Sequence, residues 1–297
     1  MRVLVLGGTG SIGSHVLHEL AQQAHEIVAL ARSETSARRI VELGGKPLAG
    51  DIGTPEQWAG ALPPLDAVVH MACDFDSPMG DVEQRLLDGL LPHLAAQGQK
   101  AKFIYTGGGW LLGASGDTVA TETTPFRPLP AFAWMVRSLQ RVIDAEGIDP
   151  MVIHPAMAYD ASGGVLRRFI DDAIGRDAIR VVGSESVRWP LVHCRDLAKL
   201  YALALEGGVA RESYIRAAIA GLPVGAIARA VERRFGSGDR APRIISADTA
   251  AAQLGEWARG YAMDQQLSGE KARRDLGWRP THLDPLSDIA SMHSPMT

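Results

Sequence analysis

The chain lacks several features that would each point to a particular class of protein. It contains only two cysteines among 297 residues, and Cys73 and Cys194 are too far apart in the sequence to form a metal-ligand pattern. We therefore predict no metal site and expect two reduced, buried thiols in a cytoplasmic protein. No apolar run is long enough to span a bilayer. The net charge of −4 gives no basic surface, so we expect neither a nucleic acid nor a membrane as a partner.

The most informative feature that is present is a glycine-rich turn near the N-terminus. The apolar residues 3–6 lead directly into Gly-Gly-Thr-Gly-Ser-Ile-Gly, and a helical pattern follows, as at the start of a dinucleotide-binding βαβ unit. Because these apolar residues run straight into the turn, we interpret them as a strand and not as a signal peptide. Gly7 allows the sharp turn, Gly10 allows a pyrophosphate to approach, and Gly13 allows tight packing of helix on strand. The residues predicted to hold the pyrophosphate are Gly7, Thr9, Gly10, Ser11, Ile12 and Gly13.

Short apolar segments and helical patterns alternate through the first half of the chain. The predicted strands are 3–6, 27–30, 47–49, 67–70, 103–106 and 151–154. The predicted helices are 12–23, 36–43, 55–62, 82–96 and 132–146. This alternation predicts an α/β fold, a doubly wound parallel sheet of the Rossmann type with helices on both faces. Ligands of such sheets bind beyond the carboxyl ends of the strands.

The second half of the chain is less regular, and helices are predicted at 165–174, 196–206, 224–235 and 270–276. We assign residues 1–160 to a dinucleotide-binding Rossmann domain. Residues 161–297 are expected to form mainly a smaller α/β substrate-binding domain, with some segments returning to the Rossmann sheet.

Residues that follow the predicted strands indicate how the rest of a dinucleotide would bind. Arg32 follows the second strand, where an acidic residue suits the ribose of NAD and an arginine suits the 2′-phosphate of NADP. NADP is therefore the predicted cofactor, with NAD as the alternative. After the third strand, Asp51 offers a carboxylate to an adenine amino group and Ile52 covers the ring; the alternative for Asp51 is a helix N-cap. Met71 and Ala72 end the fourth strand, where the cofactor ribose would approach.

Several segments together carry a family resemblance. The glycine turn, Gly-Asp-Ile at 50–52 and Val-Val-His-Met-Ala at 68–72 resemble the extended short-chain dehydrogenase/reductase superfamily, in its NAD-dependent epimerase/dehydratase branch. Similar agreement is found for His-Pro-Ala-Met-Ala-Tyr at 154–159, Val-His-Cys-Arg-Asp-Leu-Ala at 192–198 and Lys-Ala-Arg-Arg-Asp-Leu-Gly-Trp-Arg-Pro at 271–280. The resemblance covers nearly the whole chain and implies a nicotinamide cofactor, but it does not specify a substrate. It also implies that Pro155 lines the nicotinamide face and that a homodimer is a possible assembly.

The sequence departs from this family at the catalytic residues. Usual members carry a serine or threonine after the fifth strand and Tyr-x-x-x-Lys on the next helix, where the tyrosine transfers the substrate proton and the lysine lowers its pKa. Thr106 fills the first place. No tyrosine occurs between positions 105 and 159, and no lysine between positions 102 and 199. The nearest equivalents of the missing pair are Ala131 and Met135, which cannot carry protons.

The proton must then be handled by another group, if a reaction takes place. Thr106, acting through water, and Tyr159, after the sixth strand, are the candidate catalytic residues; the alternative for Tyr159 is a packed aromatic. We interpret His70, at the end of the fourth strand, as a packed histidine and not as a catalytic one. The candidate substrate-binding residues are Asp74, Trp110, Trp134 and Arg188. Their alternatives are a loop-capping carboxylate for Asp74, core or lid aromatics for the tryptophans and a surface arginine for Arg188.

Three functions are consistent with these patterns. The first is an NAD(P)-dependent oxidoreductase or epimerase/dehydratase-like enzyme with a non-standard proton relay, acting on a small carbonyl, alcohol or sugar-like compound. The second is an NADP(H)-binding sensor or regulatory protein without catalysis. The third is a non-redox isomerase or cyclase that uses the cofactor as a scaffold. We prefer the enzyme, because the cofactor half of the sequence is intact and Thr106 is retained.

Overall fold

A computed structural model describes residues 1–161, 163–238 and 240–293. Its strands, in chain order, are β1 Arg2–Leu6, β2 Glu26–Ala31, β3 Lys46–Ala49, β4 Ala67–His70, β5 Ala101–Thr106, β6 Val119–Ala120, β7 Ile148–Pro155, β8 Met157–Tyr159, β9 Arg180–Val182, β10 Arg188–His193, β11 Ser213–Arg216, β12 Ile219–Pro223, β13 Arg243–Ile245 and β14 Gln266–Leu267. Its α-helices are α1 Ser11–Gln22, α2 Glu34–Glu42, α3 Met79–Ala95, α4 Ala133–Asp144, α5 Arg167–Gly175, α6 Cys194–Gly207, α7 Val224–Phe235, α8 Ala247–Leu254, α9 Glu270–Leu276 and α10 Pro285–Ser291.

Seven strands form one parallel sheet in the order β11-β7-β5-β4-β1-β2-β3. The strands at its centre are continuous apolar runs because helices cover both faces. In β1, Val3 and Val5 pack into the core shared with α1 and α6, whereas Leu4 and Leu6 pack into the core shared with α3. This arrangement confirms the predicted doubly wound α/β fold, and it brings the carboxyl ends of the strands to one edge.

The later part of the chain adds a smaller layer beside this edge. A sheet of β12, β10 and β8 packs with α5 and α7 around a third apolar core, in which the rings of Phe169 and Trp189 stack 5.5 Å apart. The chain also returns to the large sheet, because β11 pairs in parallel with β7. No helix within the described ranges combines the length and apolar character needed to cross a membrane.

One predicted helix, at 55–62, is wrong. The structure has two single 3₁₀ turns there, Pro55–Gln57 and Ala59–Ala61. Gly60 weakens the helical preference of this segment. In addition, the indole Nε1 of Trp58 donates to the carbonyl oxygen of Asp51 at 2.8 Å, which fixes the ring against the preceding loop and not along a helix face.

Candidate active site

A cleft of about 560 Å³ lies beyond the carboxyl ends of strands β1, β2, β3 and β4 of the large sheet. It gathers all the residues predicted to hold the pyrophosphate, ribose and adenine of a dinucleotide, together with Asp74. These lining residues are Gly7, Thr9, Gly10, Ser11, Ile12, Gly13, Arg32, Asp51, Ile52, Met71, Ala72 and Asp74.

The glycine turn leaves no room for side chains where the chain is most tightly folded. Gly7 has a φ of +84°, and a Cβ there would lie 2.7 Å from the amide nitrogen of Ala72. A Cβ at Gly13 would lie 1.9 Å from the carbonyl oxygen of Gly7. Gly10 precedes α1 and offers no side chain to cap it. The first N–H groups of α1 therefore face the cleft without a capping side chain, as an anion-binding helix end requires.

Polar side chains at the other end of the cleft follow β2, β3 and β4. Arg32 is exposed and lines the cleft beside Ser36. Asp51 accepts a hydrogen bond from the Gly53 amide at 2.7 Å, which closes a tight turn. Both carboxylate oxygens of Asp74 are engaged locally, by the Asp76 amide and the Ser77 hydroxyl, and these bonds lower its pKa, with a smaller contribution from Arg32.

A second, narrower cavity of about 280 Å³ opens from this cleft. The two spaces share walls at Ile12 and at the segment that follows β4. The cavity contains the predicted residues Thr106, Trp110, Trp134 and Pro155, and most of the remaining lining is apolar. Its other lining residues are His70, Met71, Ala72, Cys73, Phe75, Glu83, Tyr105, Gly107, Gly108, Gly109, Leu111, Phe132, Met135, Ala156, Met157 and Gln265.

Aromatic rings form one wall of this cavity. The ring of Trp110 lies 5.7 Å from that of Phe132, and the ring of Phe75 lies 6.4 Å from Phe132. Behind them Trp257 lies 5.4 Å from Phe75 and 6.5 Å from Trp110. Phe75 is 50% exposed, which is unusual for so large an apolar ring. The wall is suited to contact with the face or edge of an apolar ring.

The cavity lining also contains a buried polar cluster that sequence reasoning missed. The Nε2 atom of His70 lies 3.0 and 3.1 Å from the two carboxylate oxygens of Glu83, and these residues are 2% and 4% exposed. Tyr105 packs edge-on to His70, with ring centroids 5.5 Å apart. Burial raises the pKa of Tyr105 well above its usual value, and the charge of Glu83 and a hydrogen bond to it raise it further.

Comparison with known proteins identifies the family of this chain. The model of the NAD-dependent epimerase/dehydratase family matches residues 3–216. The chain belongs to this family. Uncharacterized protein C2A9.02 of Schizosaccharomyces pombe is 26% identical over 297 residues, covering 98% of this chain and 99% of the yeast protein.

Two further proteins resemble the chain along its whole length. A 4-hydroxy-2-methyl-3-oxo-4-farnesyl-3,4-dihydroquinoline-1-oxide ketoreductase of Stigmatella aurantiaca is 24% identical, with 97% of this chain and 96% of the ketoreductase covered. The solved structure of DesIV, a dTDP-glucose 4,6-dehydratase from Streptomyces venezuelae with NAD and TYD bound, has a TM-score of 0.83 at 21% identity, covering 98% of this chain and 95% of DesIV. The likeness to DesIV shows the fold.

This member of the epimerase/dehydratase family has neither tyrosine nor lysine on α4. Met135, at the predicted lysine position, lines the cavity with its apolar side chain. The carbonyl oxygen of Ala131, at the predicted tyrosine position, accepts a hydrogen bond from the indole of Trp134 at 3.0 Å. The wall formed by the start of α4 is therefore apolar and offers no proton.

Of the two predicted catalytic residues, one lines the cavity and the other does not. Thr106 lines the cavity, but its hydroxyl lies 2.6 Å from the hydroxyl of the fully buried Tyr201 on α6. Tyr159 does not line the cavity; its hydroxyl donates to Asp288 of α10 at 2.7 Å. Burial raises the pKa of Tyr159 far above its usual value, and the bond to Asp288 adds to this effect. Tyr159 is therefore not available to the cavity, whereas the Thr106 hydroxyl shares a hydrogen bond with Tyr201 in which either oxygen can donate.

Arg188 is also held away from the cavity. Its guanidinium donates to both carboxylate oxygens of Asp264, at 2.9 and 2.6 Å, and to Asp117 at 2.9 Å. The bonds to Asp264 and Asp117 raise its pKa above the usual value. Because its guanidinium group is hydrogen-bonded to both carboxylates, Arg188 joins β10 to two neighbouring loops. It is absent from the cavity lining.

One group of potential metal ligands occurs in the described residues, although no metal site is predicted. His15, Asp160 and Cys194 place ligand atoms within 4.8 Å of one another. The Nε2 atom of His15 already forms a hydrogen bond with a carboxylate oxygen of Asp160. Burial raises the pKa of Cys194 far above its usual value, so without a metal ion its thiol is protonated.

Proposed function

We propose that this family member is an NAD(P)-dependent oxidoreductase that interconverts a small, neutral, largely apolar carbonyl compound and its alcohol. The observation that carries the proposal is the apolar, aromatic-walled cavity that opens from the dinucleotide cleft. A carbonyl group bound there lies at the end of the cleft that the nicotinamide of a dinucleotide reaches when its pyrophosphate rests on the glycine turn.

The lining of the cavity disfavours nucleotide sugars as substrates. A nucleoside diphosphate carries charges that proteins bind with arginine or lysine. Neither residue type occurs among the described residues that line the cavity. Arg188, the candidate for an anionic substrate, is paired with two carboxylates. The volume of about 280 Å³ also lies slightly below the usual range for small-molecule pockets.

The cleft residues fit a nicotinamide dinucleotide. The first turn of α1 and the glycine turn would hold its pyrophosphate, Asp51 and Ile52 its adenine, and Met71 and Ala72 its ribose. Arg32 and Ser36 would receive the 2′-phosphate of NADP, which is why we propose NADP ahead of NAD. When bound, the cofactor supplies or accepts the hydride, whereas this chain orients the carbonyl against the aromatic wall and excludes water.

The relatives give independent support for reduction of an apolar carbonyl. The Stigmatella protein that matches along the whole chain is a ketoreductase of a farnesylated quinoline oxide by name. Vestitone reductase of Medicago sativa is 23% identical over 247 residues, covering 70% of this chain. Both names denote reductases, as proposed here.

The test compares two substrate panels with the same purified protein. NADPH oxidation is followed by absorbance with neutral aromatic carbonyls, benzaldehyde and acetophenone among them, and with nucleoside diphosphate sugars. We expect turnover with the first panel and none with the second. Binding of NADPH is measured separately by fluorescence titration, with Gly13→Ala as the variant that should not bind.

Three outcomes would contradict the proposal in different ways. Turnover of nucleotide sugars at ordinary rates would show that the cavity binds charged substrates. Tight NADPH binding without turnover of either panel would favour an NADP(H)-binding sensor or regulatory protein without catalysis. Product formation without a change in nicotinamide absorbance would favour an isomerase or cyclase.

A further inference from the structure

We propose that Gln265 selects the substrate, because its side-chain carbonyl oxygen, Oε1, accepts a hydrogen bond from a hydroxyl group of the compound bound in the cavity. The inference rests on the proposed function and narrows its substrate class to apolar carbonyl compounds that carry a hydroxyl group elsewhere in the molecule. Gln265 immediately precedes β14, outside the segments that carry the family resemblance.

The side-chain amide of Gln265 has one fixed orientation. The residue is 2% exposed and lines the cavity but not the dinucleotide cleft. Its Nε2 atom donates to the carbonyl oxygens of Gly109 and Gly113, at 2.7 and 2.8 Å. A flipped amide would place its oxygen against these two oxygens, so the chemistry assigns the nitrogen to this side. Both N–H bonds are used, and the amide has no proton left to donate to a substrate carbonyl.

The oxygen of the same amide remains as an acceptor. Oε1 accepts no hydrogen bond among the described residues; the bonds of this side chain are those of Nε2. Side-chain atoms that lack both a partner and accessible surface occur elsewhere in the described chain, His70 Nδ1 among them, but not in Gln265. Oε1 therefore keeps surface that a molecule in the cavity can contact. A Cβ at position 109 would lie 3.3 Å from Oε1, and Gly109 has none to cover it.

The other side-chain oxygens of the described lining are engaged by protein groups. The Thr106 hydroxyl lies 2.6 Å from that of Tyr201. Both carboxylate oxygens of Glu83 lie 3.0 and 3.1 Å from the Nε2 atom of a buried histidine, and the Tyr105 hydroxyl is bonded to Glu83. Because a buried acceptor without a donor is unfavourable, the lining favours a ligand that brings a donor to Gln265.

A neutral hydroxyl group is the donor that fits this acceptor. An amide oxygen accepts but cannot donate, so it gives no hydrogen bond to a second carbonyl, an ether or a carboxylate. An ammonium group would bring a charge into a mostly apolar lining, at a high cost in desolvation. A site built to bind a hydroxyl also discriminates against the analogue without it, because the polar group of the protein is then left without a partner.

The chain around Gln265 is held on both sides, as a residue that sets specificity requires. The backbone N–H of Gln265 donates to the carbonyl oxygen of Arg188 at 3.0 Å. The preceding residue, Asp264, binds the Arg188 guanidinium, and the following residue, Gln266, pairs with Val119 between β14 and β6. The ion pair that keeps Arg188 away from the cavity therefore fixes Gln265 at its wall.

The first experiment measures binding and needs no turnover. The protein with NADP⁺ bound is titrated calorimetrically with phenol and with toluene, which differ by a hydroxyl in place of a methyl group. Gln265→Met keeps the length of the side chain and removes the acceptor. We expect the ratio of the toluene Kd to the phenol Kd to fall about fivefold in this variant. General damage to the cavity would weaken both ligands equally, and an unchanged ratio overturns the inference.

Gln266→Met is the matched control. Gln266 also donates from Nε2 to a backbone carbonyl, that of Gly116 at 2.9 Å, but it does not line the cavity. Its ratio of Kd values should equal that of the wild type, and an equal fall in this variant would overturn the assignment to Gln265. If Gln265→Met does not fold, a crystal structure of the wild type with phenol decides. We expect the phenol oxygen within about 3.2 Å of Oε1, and a hydroxyl directed elsewhere overturns the inference.

The second experiment tests the same selectivity during reduction by NADPH. The substrates are 3- and 4-(hydroxymethyl)benzaldehyde and their isosteres 3- and 4-ethylbenzaldehyde. In at least one pair, Gln265→Met should raise KM for the hydroxymethyl compound about fivefold and leave KM for its ethyl partner and both kcat values nearly unchanged. No selective rise in either pair overturns the inference even if the reductase activity is present. If no aldehyde is reduced, the proposed function fails, and the binding ratio alone decides the role of Gln265.

Discussion

Acid should destabilise this protein through His154, which lies on β7 next to the cavity. The imidazole is 2% exposed, and its burial lowers its pKa from 6.5 to about 4. The nearby guanidinium of Arg216 lowers it further, against a hydrogen bond with the Gly108 backbone that raises it. The unfolded chain therefore binds a proton at His154 between these two pKa values, whereas the folded chain does not.

The sign and size of the effect follow from that difference. The contribution of His154 to stability is complete above pH 6.5, its pKa in the unfolded chain. It is lost as the pH falls toward about 4, its pKa in the folded chain. Between about pH 7 and about pH 5, linkage gives a loss of roughly 2 kcal/mol from this one residue. This is a large fraction of the stability of a typical domain.

Urea denaturation of the wild type and of His154→Gln at both pH values isolates this contribution. The wild type should lose about 2 kcal/mol more than the variant. Burial also lowers the pKa of His193 to about 4, but that residue is present in both proteins and its effect cancels. Equal losses in the two proteins would refute the reasoning, because they would show that His154 is solvated or protonated in the folded state.

Four further results are expected from the cleft and the cavity. Arg32→Ala should weaken NADPH binding about tenfold and leave NADH binding nearly unchanged in fluorescence titrations; equal weakening would remove the argument for NADP. Gly13→Ala should abolish dinucleotide binding, because its Cβ would lie 1.9 Å from a carbonyl oxygen; normal binding would contradict the turn geometry. Trp110→Ala should raise KM for aromatic carbonyls about tenfold without changing NADPH affinity, whereas an unchanged KM would remove Trp110 from the substrate wall. Tyr201→Phe should lower the free energy of unfolding by about 1 kcal/mol in urea denaturation and leave kcat unchanged. A large loss of kcat would indicate that Thr106 supplies the proton.

That Arg32, Asp51 and Met71 line one cleft could be predicted from the sequence, because they lie at regular places in a repeated pattern. Each strand of a parallel sheet ends at the same edge, so Arg32, Asp51 and Met71 could be placed together without knowledge of long-range contacts. The glycine spacing fixed the turn in the same way, since only one residue type fits such close backbone approach.

The cavity could not be predicted in the same way, because its contacts join residues that are distant in the sequence. Tyr159 follows the predicted strand 151–154, which is part of β7 in the large sheet. Tyr159 itself lies in β8 of the smaller sheet, where its hydroxyl meets Asp288, 129 residues away. Arg188 is likewise taken up by Asp264, 76 residues away. A helix pattern shows Glu83 as an interruption of an apolar face, but it does not show that His70 lies opposite.

The central claim is that a dinucleotide delivers its nicotinamide to the aromatic-walled cavity. The most direct test is a crystal structure of the complex with NADP⁺, which shows where the nicotinamide ring lies and which groups surround its C4 atom. The account predicts that the ring enters the aromatic-walled cavity, with space over C4 for a bound carbonyl compound. A nicotinamide turned out of the cavity, or covered there by apolar side chains alone, would contradict it.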